Sequence, residues 1–414
     1  MRVLVTGQGG REHALTWKLA QSPYVKEIYA WPGNPGIFEI AKPVSKEIDT
    51  LLALKEFAWK ERIDLTIVGP EKHLAAGIAD LFQAEGLQVF GPSKNAARLE
   101  SSKAFAKAFM VRHQIPTAKY FEADTEDSAC SYIQEAKYQL VIKADGLAQG
   151  KGVYVTDSKQ EAFLAVQQLF GGAFGEAGRK VVIEERLTGP EISVFVLVHQ
   201  QNYCLLPIAM DHKRAYDNDL GPNTGGMGAI APINIGSELE VEIEEKIIRP
   251  SVLGLSAEGI DFCGVLFIGL MLTPNGPKVL EYNVRMGDPE TQALMPLIDS
   301  DLYQVITALL DHKPISLDLK KMVSCCVIVA AKGYPDKFQR GMSITLPALN
   351  RDQFIFHSGT ELKGGQVVSV GGRVLSVVGL GSNLTTAKQN AYQAVEKVIM
   401  PDKFYRRDIG DNMV

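Results

Sequence analysis

Short β-branched runs alternate with amphipathic helical stretches through residues 1–100, and no other feature constrains the fold as strongly. Residues 2–6 read as a strand that enters a glycine turn, and a helix is predicted over about 12–21. Further strands are expected at 27–31, 64–68 and 88–90, with helices at 51–61 and about 75–84 between them. Strands joined by helical crossovers imply a parallel, doubly wound sheet.

The pattern changes after a helix predicted at 101–113. Strands at 140–144, 153–156, 180–187, 192–199, 203–208, 263–272 and 278–284 follow, with one helix near 159–169. Thr273-Pro274-Asn275-Gly276 is a hairpin signal, so antiparallel pairing is expected here. A last unit begins near Met322, with strands at 325–330 and 374–378 and a helix at 385–399. A chain of 414 residues exceeds one ordinary core, which fits several domains.

A net charge of −5 argues against a nucleic-acid backbone partner, which needs a basic face. The longest apolar run, residues 262–272, is far short of a membrane span, and no secretory signal is expected at the start. The five cysteines show no zinc spacing and read as small buried hydrophobes of a reducing cytoplasm. Adjacent Cys325 and Cys326 should face opposite sides of a strand.

Five segments carry chemistry. Gly7-Gln8-Gly9-Gly10-Arg11-Glu12 follows a strand and opens a helix, but Glu12 stands where a dinucleotide fingerprint wants Gly or Ala. No acid ends the second strand, so NAD is disfavoured. The turn is either a phosphate site at a helix N-terminus or a tight turn with no ligand. Gly146, Gly150, Lys151 and Gly152 form a glycine-rich loop between two strands, without the spacing of a Walker loop. It reads as a phosphate cradle or as a mobile hairpin. Lys143 favours the cradle, because a lysine in an apolar strand needs an anionic partner. Residues 181–187 end in Glu184 and Glu185, with Leu187 and Glu191 close behind, which suits an adenine edge and ribose hydroxyls or a solvated strand end.

Strand alternation puts Glu281, Asn283 and Arg285 on one face and Leu280, Tyr282 and Val284 on the other. An acid, an amide and a guanidinium in a row suit a phosphate-bound Mg²⁺, with Arg285 on a phosphoryl group. An ordinary salt-bridged strand face is the alternative. The long polar stretch from Asp211, His212, Lys213 and Arg214 to Asn223, Gly225 and Gly226 suits anionic substrates or an acyl phosphate.

GQGGREHA at 7–14, IVGPE at 67–71, VIKADGLAQGKGV at 141–153, VIEERL at 182–187, DHKR at 211–214, GPNTGGMGA at 221–229 and EYNVRMGDPETQ at 281–292 stand in this order. Together they resemble the phosphoribosylamine–glycine ligases (glycinamide ribonucleotide synthetases) of the ATP-grasp family along essentially the whole chain. The resemblance implies a mixed α/β and α+β architecture. Its parts are an N-terminal doubly wound parallel sheet domain over 1–101, an ATP-grasp core over 102–321 with a lid subdomain at about 117–190, and a small C-terminal α/β domain over 322–414. It implies ATP held by Lys103, Lys143, Gly146, Gly150, Lys151, Glu184, Glu185, Leu187 and Glu191, and Mg²⁺ or Mn²⁺ held by Glu281 and Asn283. Arg285, Lys213 and Asp211 would be catalytic. Gly9, Gly10, Arg11, Glu12, His212, Arg214, Asn223, Gly225, Gly226 and Asp288 would bind substrate. The pattern departs from the family at Lys72-His73, where Ala-Pro is usual, and in a segment before Asp211 that is about two residues short.

The implied reaction activates glycine with ATP as glycyl phosphate, which the amine of 5-phosphoribosylamine then attacks, in a cytoplasmic monomer or weak homodimer. Two rivals remain at this stage. A carboxylase making carboxyphosphate would use bicarbonate and lack the 211–228 stretch. A nucleotide sensor would bind ATP without turnover.

Overall fold

The N-terminal sheet is parallel throughout, in the order Lys42–Pro43, Glu27–Pro32, Arg2–Gly7, Leu65–Val68, Val89–Phe90. The computed structural model describes residues 1–148 and 152–411. Val3, Leu4 and Val5 in the central strand are fully buried, as expected of a strand covered on both faces. The winding reverses between Arg2–Gly7 and Leu65–Val68, so a crevice lies at their carboxyl ends, beside Gly7 and Gly69. The helix expected at 75–84 is in fact two, Glu71–Ala75 and Ile78–Gln83, separated by Gly77 at φ 87°.

The central sheet is antiparallel: Asn202–Leu205, Glu191–His199, Cys263–Thr273, Gly276–Asn283. The hairpin turn falls where expected, with Gly276 at φ 95° and Thr273 Oγ1 donating to the Gly276 carbonyl at 2.7 Å. The alternation predicted for the last strand slips once. Gly269 pairs with Glu281 but Leu270 pairs with Val279, so Leu280 is a bulge. Val279 and Tyr282 therefore fill the core while Leu280 is only partly buried. Such bulges re-aim side chains beside working sites.

A separate antiparallel sheet orders Tyr120–Ala123, Val181–Glu185, Leu140–Ala144 and Val153–Val155, backed by helices Glu126–Glu135 and Lys159–Gln168. It has its own small core of Ile142, Ile183, Ala162 and Val166. The strand Tyr120–Ala123 and helix Glu126–Glu135 were not predicted. Thr125 caps that helix, accepting from the Ser128 N–H at 3.2 Å.

The third sheet runs Met210–Asp211, Gly228–Ala231, Val323–Ala330, Arg373–Gly381, Gln353–His357. The unit expected to start near residue 322 thus takes two strands from 210–231. Helix Leu384–Lys397 lies against it, so close that a side chain at Gly379 would meet the Ala387 carbonyl at 2.3 Å. Cys325 and Cys326 point into different core clusters, as the alternation predicts, and all five cysteines are free.

Candidate active site

Two clusters of ionisable side chains meet where the sheet of residues 120–185 approaches the central sheet, at Lys143 and Leu280. On the lid side, Glu184 is 2% exposed and sits between two lysines. Lys107 Nζ is 2.8 Å from Oε2 and Lys143 Nζ is 2.8 Å from Oε1, an ion-pair contact rather than an aligned hydrogen bond. Burial would raise the Glu184 pKa, but Lys143 and Lys107 overcome it and hold the carboxylate below its usual range. Burial pulls Lys107 down to about 8 despite the ion pair. The protein itself thus supplies an anion for Lys143, which the sequence reading assigned to a phosphate. Lys143 Nζ also reaches the Leu280 carbonyl at 3.3 Å. Lys103 Nζ donates to the Gly146 carbonyl at 3.3 Å, and burial lowers its pKa against the pull of Glu281. Gly150 and Lys151 lie outside the described residues.

On the floor the balance inverts. Lys213 is in close ion-pair contact with Glu191 and is drawn on by Asp211 and Glu281 as well. Burial would raise Glu281, but Lys213, Lys143 and Lys103 hold it low and ionised. Asp211 goes the other way. Burial pushes it well above the carboxylate range; Lys213 opposes this, while Glu290, Glu191 and Glu281 add to it. Glu290, not predicted, is 2% exposed and accepts from Ser193 Oγ at 3.1 Å.

Asn283 is 7% exposed. Its Oδ1 accepts from Arg285 Nη2 at 3.0 Å and its Nδ2 is buried without a partner. Arg285 Nη2 also donates to Glu100 Oε1 at 2.8 Å, and Nε lies 3.6 Å from Glu71 Oε2. Glu100 was not anticipated; it also accepts from the Val284 N–H at 2.8 Å. The described residues hold no group of three or more His, Cys, Asp or Glu side chains that could bind a metal. Glu281 and Asn283 are a hard oxygen pair of the kind that leaves several positions of an octahedron to phosphates and water. An amide oxygen has a second lone pair beyond the one given to Arg285, so the pair fits a divalent cation.

The expected adenine edge is partly spent on the sheet. The Glu185 N–H donates to the Lys119 carbonyl at 2.8 Å, and the Arg186 N–H to that of Gln139 at 2.8 Å. Leu187 follows, half-buried.

At the glycine turn, Glu12 is folded back under the loop. It accepts from the Gly9 N–H at 2.6 Å and pairs with Arg11 Nε at 2.7 Å. A side chain at Gly7 or Gly69 would collide with it at 2.4 Å or 2.1 Å. One N–H of the expected phosphate site is therefore capped by the chain's own carboxylate. Arg11 Nη1 donates to the Met286 carbonyl at 3.0 Å, tying the turn to the central sheet. His73, one of the unusual residues, is buried beside Thr6 and Trp31, and burial lowers it to about 4. Lys72 is exposed.

In the 211–228 stretch, Asp211 and Lys213 reach the floor, but His212 does not, which corrects the expectation that it meets substrate. It is 6% exposed, its Nε2 accepts from the Gly410 N–H at 3.0 Å, and burial lowers it to about 4, so it is neutral. Alternation along an extended segment is the reason. Arg214 Nη1 donates to the Gly221 carbonyl at 2.7 Å, with exposed Asn223 paired opposite. Two arginines of the C-terminal segment, both missed in the sequence, hold this stretch. Arg406 is fully buried, clasps Asp408 through two 2.7 Å bonds, and donates to Asp219 Oδ1 at 2.8 Å and the Arg214 carbonyl at 3.1 Å. Arg373 reaches Gly225, Gly226 and Asp288. A fully buried arginine must have such partners, but nothing local in sequence names them.

Lysines beside Gly146, close to a carboxylate floor on an antiparallel sheet, fit the ATP-grasp class, which the family match over residues 101–291 shows. Biotin carboxylase domains share this fold: that of Hydrogenobacter thermophilus 2-oxoglutarate carboxylase aligns over 98% of this chain and 91% of its own at TM-score 0.74 and 15% identity. Family models for phosphoribosylglycinamide synthetase match at residues 1–100 (N domain), 101–291 (ATP-grasp domain) and 324–412 (C domain). Phosphoribosylamine–glycine ligase of Caldanaerobacter subterraneus is 46% identical, covering 99% of both chains. The Thermotoga maritima enzyme of that name superimposes at TM-score 0.87 with 36% identity, over 99% of this chain and 100% of its own. The trifunctional purine protein adenosine-3 of Gallus gallus is 45% identical over 99% of this chain and 42% of its own length. The chain belongs to the phosphoribosylglycinamide synthetase family and is an ATP-grasp ligase.

Proposed function

We propose that this ligase, which joins glycine to 5-phosphoribosylamine in purine synthesis at the expense of ATP, does so through a glycyl phosphate. The observation that carries the reading is the charge of the cleft: Lys103 and the Lys143–Glu184–Lys107 cluster on one side, and Glu281, Glu191, Asp211 and Glu290 around Lys213, more acid than base, on the other. Such a cleft suits a polyphosphate on the lysine side and its cation on the acid side. The triphosphate lies along Lys103, Lys143 and Gly146, and the sequence adds Gly150 and Lys151, which lie outside the described residues. The adenine takes the edge at Glu184, Glu185 and Leu187, and Glu191 faces the ribose. Glu281 and Asn283 hold Mg²⁺ or Mn²⁺, which when bound neutralises the transferring phosphoryl group.

A glycine carboxylate oxygen attacks the γ-phosphorus, the bond to ADP breaks, and glycyl phosphate forms. Lys213 and Arg285 balance the charge of the moving phosphoryl group. The nitrogen of 5-phosphoribosylamine then attacks the glycyl carbonyl, phosphate leaves, and the nitrogen loses a proton. Asp211, held above its ordinary range by burial, has the raised basicity to take that proton. Gly9, Gly10, Arg11, Glu12, Arg214, Asn223, Gly225, Gly226 and Asp288 line the substrate side. His212 serves as an anchor. The three units divide near residues 101 and 322, with the lid at about 117–190, and the protein works in the cytoplasm as a monomer or weak homodimer. Among the described residues, no helix is long and apolar enough to cross a membrane.

Glycine labelled with ¹⁸O in its carboxylate tests the intermediate. One label should appear in the released phosphate. Phosphate free of label would rule out glycyl phosphate.

A further inference from the structure

Asp288 sits where all three units meet, and its two oxygens are treated differently. Oδ1 accepts from Gln292 Nε2 at 2.8 Å and lies 3.2 Å from Arg373 Nη1. Oδ2 faces the glycine turn, 3.4 Å from the point a side chain at Gly9 would occupy. The same Arg373 Nη1 donates to the Gly225 carbonyl at 2.5 Å and to the Asp288 carbonyl at 2.7 Å. One guanidinium from the C-terminal sheet therefore fixes the glycine-rich stretch and the turn after the central sheet's last strand together. The glycines permit it: a side chain at Gly225 would meet Arg373 Cζ at 3.1 Å, and one at Gly226 would meet Pro289 Cδ at 2.4 Å. Gln292 is completely buried, bonds Ser376 Oγ at 3.1 Å, and keeps its own Oε1 without a partner.

We infer that Arg373 is a positioning residue for the nitrogen-bearing substrate. It holds Asp288 so that Oδ2 accepts a hydrogen bond from 5-phosphoribosylamine beside Gly9 and Gly10. This rests on the glycine-ligase reading. All of these contacts run through one nitrogen, Nη1, so a lysine, which keeps the charge and three N–H donors on a more flexible stem, can restore part of them.

The test measures KM for 5-phosphoribosylamine and for ATP in wild type, Arg373→Ala and Arg373→Lys, with thermal midpoints alongside. Arg373→Ala should raise KM for 5-phosphoribosylamine about tenfold or more, the effect of losing a charge-assisted bond. KM for ATP should hold within about twofold. Arg373→Lys should recover part of the loss. An unchanged KM for 5-phosphoribosylamine, or an equal rise for ATP, would overturn the inference. Should Arg373→Ala not accumulate as folded protein, Arg373→Lys and the near-isosteric Asp288→Asn carry the same test with the same outcomes. Wild type that shows no glycine-dependent turnover would instead defeat the ligase reading itself.

Discussion

Glu184 is buried and Asp211 partly buried, and the protein drives the two carboxylates in opposite directions. Glu184 has two lysines in direct contact and stays ionised; Asp211 shares one lysine with Glu191 and faces further acids, and is pushed up. The lid-side cluster is satisfied by the protein alone, as a structural ion pair. The floor cluster is left with more acid than base, which costs stability and is the state a substrate cation relieves. Charge surplus rather than burial marks the working wall.

The largest effect should come from the floor. Glu281→Gln is nearly isosteric and should cut turnover about a hundredfold or more; it should also lower the thermal midpoint, because Lys213, Lys143 and Lys103 hold Glu281 ionised and lose that partner. Titrating Mg²⁺ against ADP production checks it, and near-normal rates at ordinary Mg²⁺ would put the metal elsewhere.

Glu184→Gln should behave differently. It leaves Lys143 and Lys107 buried without their anion and should cost about 3 kcal/mol, read from the urea midpoint. The folded pKa of Glu184 is depressed, so its stabilisation is present above the ordinary value of 4.5 and fades as pH falls through the folded one. Wild type should lose that stability in acid, and the variant should have little of it to lose. A flat comparison between the two would contradict the structural role.

Asp211→Asn is the mirror experiment. Its folded pKa is raised, so keeping it ionised costs stability at high pH, and the cost fades as pH falls toward the ordinary 3.8. The variant should be at least as stable as wild type at pH 8 while turning over about a hundredfold more slowly, the low end for one general base. A large drop in stability at that pH would make Asp211 structural.

The smallest effect on turnover belongs outside both clusters. Cys325→Ala and Cys326→Ala remove buried sulfur from opposite faces of one strand and should each cost about 1 kcal/mol of stability. Turnover should stay within about twofold of wild type. A tenfold loss with an unchanged thermal midpoint would give the thiols a part in the reaction.

Local patterns carried much of this molecule. The parallel sheet, the 273–276 hairpin and the acid–amide–guanidinium row could be read because period, turn chemistry and alternation act over a few residues. The alternation around Leu280 failed because a bulge is set by the partner strand. Lys143 announced a buried anion but not which one, since Glu184 lies 41 positions away and a phosphate would serve as well. Glu100, Arg373 and Arg406 were invisible for the same reason. Each acts on a residue 85 to 192 positions distant, and isolated arginines and glutamates are ordinary surface residues by default. His212 misled because it was read as part of a basic cluster rather than by the alternation that turns it away.

The most direct test of the account is ADP release by the purified protein with each substrate withheld in turn. Release should require glycine and 5-phosphoribosylamine together, with alanine a poor replacement for glycine. Equal release with bicarbonate and no glycine would contradict it and put a carboxylase in its place.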